Sequence, residues 1–214
     1  MNMQAIGENA LSMMRRGYYR IAKRRKLKNK NPTIIASDCF GSLMYANLGL
    51  RFNSPTINLF FSREDFLTFC QNLPGFLKEE VQEVTDETTN YPVGQITADG
   101  HTIRINFRHY HSFEEAKAKW DERKQRVDYS NIFIVLVVAS GIRQEDVTAF
   151  DALPFENKML VVDRKITDSP SIVTHKVFSQ KNYRPGMILR YKTNVSLKRY
   201  MDDIDYVSFL NQGF

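Results

Sequence analysis

Asp38 and Cys39 follow the β-branched run Thr33-Ile34-Ile35, and the cluster Arg108-His109-Tyr110-His111 closes a segment of alternating residues further along. A thiol at a strand-to-helix turn stands where open α/β sheets bind ligands, and a helix N-terminus lowers its pKa. His109 or His111 could activate such a thiol, with Asp38 as the third, orienting group. The bland reading of Cys39 is a small buried residue, since free cysteine is usually inert filler, and Cys70 on an apolar helix face reads as core. His109 and His111 stand two apart, a spacing that can chelate a metal, but no third ligand accompanies them and no metal is assigned. His109 is the better candidate for acid–base work. In Asn53-Ser54-Pro55-Thr56 three hydrogen-bonding side chains sit in a turn, where they could meet a polyol or a phosphate.

The elements that must hold these residues read as an α/β domain. Thr33–Ser37 is a short buried strand, Phe40–Leu48 a helix capped by Gly49, and "SREDFLTFCQN" (Ser62–Asn72) a second helix that Ser62 can cap. Pro74 interrupts, and a short helix or helix-to-strand passage follows. Asp99-Gly100 marks a tight hairpin between alternating segments, placing His109 and His111 on one face of the second strand. Ser112 and Glu115 form a capping box for a helix carrying Phe113, Ala116, Trp120 and Val127 inward. The run Ile132–Ala139 has the length of a strand buried on both faces, and a helix and the strand "NKMLVV" follow it. Strand–helix–strand–helix–strand order implies a parallel sheet with a hairpin inserted in it. Beyond Asp163 the pattern weakens, with "SIVTHKVF" and "MILRY" as expected strands and terminal helices after them.

Composition narrows the class. Apolar content of 43% and charged content of 25% over 214 residues suit one globular domain. No stretch reaches the roughly 18 apolar residues of a membrane span. Two cysteines make no disulfide framework, so a cytoplasmic location is expected. There is no P-loop, no G-x-G-x-x-G and no G-x-S-x-G, and no cofactor is assigned.

Charge is uneven. Residues 1–31 hold nine basic residues against Glu8, a net +8, so with +6 overall the body carries −2. This arm reads as a basic amphipathic helix running into a disordered tail, ahead of a single α/β domain over 32–214. Ile6, Ala10, Met14, Tyr18 and Ile21 make its apolar stripe. Arg15, Arg16, Arg20, Lys23, Arg24 and Arg25 would meet an anionic bilayer, each worth on the order of 1 kcal/mol. Packing on the domain is the competing expectation. Nucleic acid is disfavoured, because the body shows no base-stacking motif.

Taken in order, "SDCFGSLMYANLGLRFNSPTINLFF", "NYPVG", "FRHYHSFEEAKAKWDERKQRV" and "FDALPFENKML" resemble a bacterial family of domains of unknown function, number nineteen-nineteen. Its members carry the description of exopolysaccharide biosynthesis proteins and are associated with capsule or lipopolysaccharide gene clusters. The first motif of that family reads Asn-Asn-Cys-Trp-Gly-Gly. Cys39 and Gly41 match it, while Asp38, Phe40 and Ser42 replace the second asparagine, the tryptophan and the second glycine. The resemblance implies a pathway rather than a reaction. It makes the expected role that of a transferase acting on a nucleotide-sugar or lipid-linked sugar at the cytoplasmic membrane face. In that scheme His109 is the base, Arg123 pairs with phosphate, and Asn53, Ser54 and Thr56 hold sugar hydroxyls. Asp38 and Cys39 complete the expected site. The alternative is a non-catalytic membrane-associated assembly factor that recruits other polysaccharide biosynthesis proteins.

Overall fold

A computed structural model of the chain describes residues 3–212, with side chains from residue 9 onward. Helix α1 (Met3–Tyr18) leads through one π-helical turn at Tyr19–Lys23 and a 3-10 turn at Arg24–Lys26 into β1 (Thr33–Ala36) and α2 (Cys39–Leu48). Next come α3 (Arg63–Gln71), α4 (Leu73–Lys78), β2 (Gln82–Glu83), β3 (Val93–Ala98) and β4 (His101–Asn106). Then α5 (Phe113–Lys124), β5 (Ile132–Val138), α6 (Gln144–Asp151), β6 (Asn157–Val162) and β7 (Ile172–Thr174) alternate, and α7 (Tyr206–Leu210) lies near the end.

Four strands form a parallel sheet in the order β1-β5-β6-β7, with Ile35 opposite Ile134 and Leu136 opposite Leu160. Alternation along these strands splits the core in two. Ile35, Ile134, Leu136 and Leu160 face an aromatic-rich layer with Phe69, Phe107 and Trp120. Ile34, Phe133, Val135 and Val161 face the opposite layer, made by α2, α7 and the C-terminal segment. A strand apolar on both sides is what a doubly covered parallel sheet requires, and each fully buried Leu or Ile contributes about 1.5–3 kcal/mol.

β2, β3 and β4 form a separate antiparallel sheet. Its tight turn at Asp99-Gly100 places both residues at positive φ, 50° and 79°, as a primed hairpin turn demands. Phe60 pairs with Asn106 through two backbone hydrogen bonds, tying this hairpin to the segment after α2, whose Phe61 N–H donates to the Ser37 carbonyl at the end of β1.

Several expectations are corrected. Pro74 does not interrupt a helix but opens α4 at its first turn, where no intrahelical N–H is needed. β4 ends at Asn106, so His109 and His111 lie on the turn after the strand, with Tyr110 buried between them. The "MILRY" strand is a 3-10 turn at Met187–Leu189, and "SIVTHKVF" keeps only three strand residues before a 3-10 turn at Lys176–Ser179. The tail after α1 is packed: Tyr19, Leu27 and Asn29 are buried. The Asn211 side chain accepts the Lys28 N–H at 2.7 Å and donates to the Lys26 carbonyl. Of the proposed stripe, Ile6 lies outside the residues whose side chains are described. Ala10, Met14 and Ile21 point outward, while Tyr18 is half-buried.

Candidate functional site

The carboxyl ends of β1 and β5 open into a cleft of about 450 Å³, lined by Ser37, Asp38, Cys39, Val137, Arg108 and His109, with Phe60, Phe61 and the Pro185–Arg190 segment as walls. A ligand in an open α/β sheet is expected at this end, and the volume falls within the usual range for small-molecule sites. Ser37 locks the floor. Its N–H donates to the Val135 carbonyl, its hydroxyl accepts the Val137 N–H at 3.1 Å, and its carbonyl accepts from Phe61.

Asp38 caps α2, accepting the Phe40 N–H at 2.9 Å. Burial pushes its carboxyl up to about 6, against the opposing effect of that N–H. Among the described residues no cation pairs with it, which leaves the desolvation uncompensated. A carboxyl in that range exchanges protons near neutrality, as a general acid or base must.

Cys39 sits one residue further, at the first turn of α2, with its Sγ 4.0 Å from the Leu59 carbonyl. The expected lowering of its pKa is corrected. Burial, with Asp38's charge adding to it, pushes the thiol up to about 12. The thiol is protonated, a weak donor rather than a thiolate. Gly41 belongs to the same turn for a steric reason: a Cβ there would come within 2.6 Å of the Ala36 Cβ. Close approach of α2 to β1 therefore sets the position of Asp38 and Cys39.

His109 reaches the cleft from the turn after β4. Its N–H donates to the Asn58 carbonyl at 3.3 Å, and Asn58, held at φ 61°, donates its own N–H to the Ser42 hydroxyl. Arg108 and Arg190 are exposed at the rim, and among the described residues neither guanidinium has a hydrogen bond or an ion pair. Burial raises Tyr183, behind the 185–190 wall, and the charge of Asp38 adds to that shift.

Asp38, Cys39 and His109 thus come together. Asn53, Ser54, Thr56 and Arg123 do not join them. Asn53, Ser54 and Thr56 are buried. Thr56 Oγ1 accepts the Ala36 N–H at 3.0 Å, Ser54 Oγ accepts the Thr56 N–H, and the Asn53 amide donates to Asn31. Their capacity is spent on holding β1. Arg123 donates to the Tyr110 hydroxyl at 2.7 Å and lies over the Phe52 ring. Tyr110 in turn donates to the Ile57 carbonyl, so Arg123 braces the turn that carries His109. His111 does not line the cleft, and no group of three metal-ligating side chains occurs among the described residues.

Sequence reasoning missed Ser37, Arg108 and Arg190 as cleft residues. Arg108 had a signal, since it precedes His109 on the polar side of the hairpin pattern. Arg190 had none, because its neighbours read as a strand. The expected membrane-facing residues divide as well. Arg16, Arg20, Arg24 and Arg25 are exposed, whereas Arg15 and Lys23 are partly covered by the C-terminal segment.

A parallel sheet covered on both faces, with a cleft at its carboxyl end, is the architecture of an open α/β protein. The chain belongs to the family described as Domain of unknown function (DUF1919), whose model matches residues 10–211. It is similar to an uncharacterized protein of Haemophilus influenzae, 34% identical over 206 residues, which cover 96% of this chain and 97% of that protein. No helix among the described residues is long and apolar enough to cross a membrane.

Proposed function

We propose that the chain is a transferase of bacterial surface polysaccharide biosynthesis, taking a nucleotide-sugar or lipid-linked sugar in the cleft at the end of β1. One observation carries the reading: a carboxyl poised near neutrality and an exposed imidazole line the same cleft, beside two guanidiniums, and among the described residues neither the carboxyl nor the guanidiniums have an ion-pair partner. The polysaccharide pathway is supported by the family resemblance of the motifs around Cys39 and His109.

In this scheme Arg108 and Arg190, rather than Arg123, grip the diphosphate of the donor, because their forks are free for bidentate contact. Asp38 or His109 takes the proton of the acceptor hydroxyl as its oxygen bonds to the transferred group. The bond to the leaving diphosphate breaks in the same step, and the arginines stabilise the charge that leaves with it. Cys39, protonated, contributes shape rather than a covalent intermediate.

Thermal-shift titration with a panel of nucleotide sugars and sugar phosphates tests the reading. A ligand at about 100 times its dissociation constant stabilises by roughly 2.7 kcal/mol. The expected result is a hit that His109→Ala and Arg108→Ala both weaken. Silence across the panel, with normal polymer in cells carrying His109→Ala, overturns it.

A non-catalytic membrane-associated assembly factor is the second reading. It is favoured by Met13, Met14 and Ile21, exposed at 65%, 58% and 59% on the outer side of α1 and the turn after it. Sedimentation with anionic vesicles, lost in Met14→Ser/Ile21→Ser while the cleft variants behave as wild type, would favour it.

A further inference from the structure

A second hollow, of about 700 Å³, runs between α1 and α2. Five arginines line it, namely Arg15, Arg16, Arg20, Arg24 and Arg199, and among the described residues no acidic one does. Three of them are set in place by neutral groups. Arg15 donates to the carbonyls of Ser196 and Asn194 and lies 3.6 Å from the centre of the Tyr191 ring. Arg199 lies 4.1 Å from the same ring and donates to the Leu189 carbonyl, while its Nε is buried without a partner. Arg24 donates to the Gly49 carbonyl at 2.8 Å. None of these contacts neutralises a charge. Arg16 and Arg20 are exposed, and among the described residues they have no hydrogen bond or ion pair.

Asp202, the nearby acid, is already occupied. It accepts from the Tyr19 and Tyr206 hydroxyls and from the backbone N–H of Arg199, and it lies 3.9 Å from the Lys23 ammonium. Gathering like charges around one concavity raises the folded state's free energy, so packing alone gives no reason for the arrangement. Planar forks held by carbonyls and by a ring are preorganised for bidentate contact with phosphate oxygens. Two linked phosphates offer more oxygens and more negative charge than one, and so match a hollow lined by five arginines better than a single phosphate does.

We infer that the groove between α1 and α2 is a diphosphate-binding site, with Arg16, Arg20, Arg24 and Arg199 as its cationic lining. The inference does not depend on the transferase reading. A neighbouring hollow shares Leu189 and Arg190 with the β1 cleft and Arg15 and Tyr191 with this groove, so both sites lie along one segment of the chain. The diphosphate can belong to a soluble nucleotide or to a lipid carrier in a membrane. Both present the same chemistry to the arginines.

The test is calorimetric titration of the full chain with inorganic pyrophosphate, in a background carrying Arg108→Ala and Arg190→Ala so that the cleft is silent. Added Arg16→Ala/Arg20→Ala should weaken binding by roughly tenfold or more, since two charge-assisted contacts are lost. Arg164→Ala/Lys165→Ala, an equal loss of charge at an exposed site elsewhere, should leave it unchanged. Absence of binding in this background, or equal weakening by both double variants, overturns the site. Vesicle binding that needs Arg16 and Arg20 while pyrophosphate does not bind also overturns it, in favour of a plain membrane surface. A nucleoside diphosphate in solution and a polyprenyl diphosphate in neutral vesicles then separate the two sources, and saturable binding of either supports the inference. Cleft failure appears instead as a loss of nucleotide-sugar binding without a change in the pyrophosphate titration.

Discussion

The two polar stretches that flank α2 differ in what their side chains do, although both offer an Asn or Asp and small hydroxyl- or thiol-bearing neighbours. Before the helix, Asp38 keeps an uncompensated carboxyl at the rim of a cleft. After it, Asn53, Ser54 and Thr56 are buried, Ser54 and Thr56 bonded to backbone and to each other and Asn53 to the Asn31 side chain. The first stretch lies at the open carboxyl end of β1. The second crosses beneath α2, where every polar group needs an internal partner. Polar residues in a turn are therefore site or strut according to whether the backbone beside them has unmet hydrogen bonds. Ala36 N–H is such a bond, and Thr56 meets it.

Substitutions can break or sharpen this contrast. The largest effect is expected at Gly41→Val, where the added carbons collide with the Ala36 Cβ and lift α2 from β1. Chemical denaturation should show a loss of about 3 kcal/mol. Thr56→Val comes next. It keeps the volume but leaves the Ala36 N–H buried without a partner, for a loss of about 2 kcal/mol. If Thr56→Val left stability untouched and abolished ligand binding, the strut would be a site after all.

Asp38→Asn tests the other side and should raise stability near neutral pH by about 1 kcal/mol, less than the full shift because solvent reaches the carboxyl. The sign follows from its pKa. The folded value, about 6, lies above the ordinary carboxylate value, so the fold favours the protonated form. That contribution is complete below about pH 4 and is lost as pH rises through 6. Asn cannot ionise and still caps α2, so the variant's stability should be flat over that window. A stability curve parallel to wild type would mean that Asp38 is not desolvated.

The smallest effect belongs to His175, in the layer under the C-terminal segment. Its Nδ1 accepts the Val177 N–H at 3.1 Å and its Nε2 donates to the Tyr200 carbonyl, which fixes the neutral ring. Burial lowers its pKa, against the opposing pull of the Tyr200 carbonyl and Asp203. The folded state thus binds the proton less readily than the unfolded chain. Its stabilising contribution is complete above the ordinary histidine value, about 6.5, and falls as pH drops through it. His175→Gln should remove that slope from the melting temperature, and an unchanged slope would assign it to other groups.

Much of this molecule was legible without coordinates because its signals are local. The hairpin needed only Asp99-Gly100 at positive φ, and the α5 cap needed only Ser112, which accepts the Glu115 N–H, although the Glu115 carboxylate accepts from the His111 N–H rather than completing the expected capping box. The doubly apolar run of β5 could satisfy itself only between two layers. The C-terminal third was less legible because its 3-10 turns lack periodicity, and it is this part that supplies Arg190, Tyr191 and Arg199 to the two concavities.

By itself the amino-acid sequence determined the α/β class, the parallel sheet with its inserted hairpin, the meeting of charge and amphipathicity in the first 31 residues, and the candidacy of Asp38, Cys39 and His109. Periodicity, capping and turn chemistry act over a few residues, and each leaves a mark in the order of the chain. Only the tertiary structure decided that Asp38 and His109 share a cleft while Thr56 is a strut. It also decided that Cys39 stays a thiol and that arginines from α1 line one hollow with Arg199. Those outcomes depend on burial and on contacts between residues up to about 180 positions apart, such as Arg15 with Ser196. Desolvation and through-space charge are set by what surrounds a group, and no local pattern in a chain encodes its surroundings.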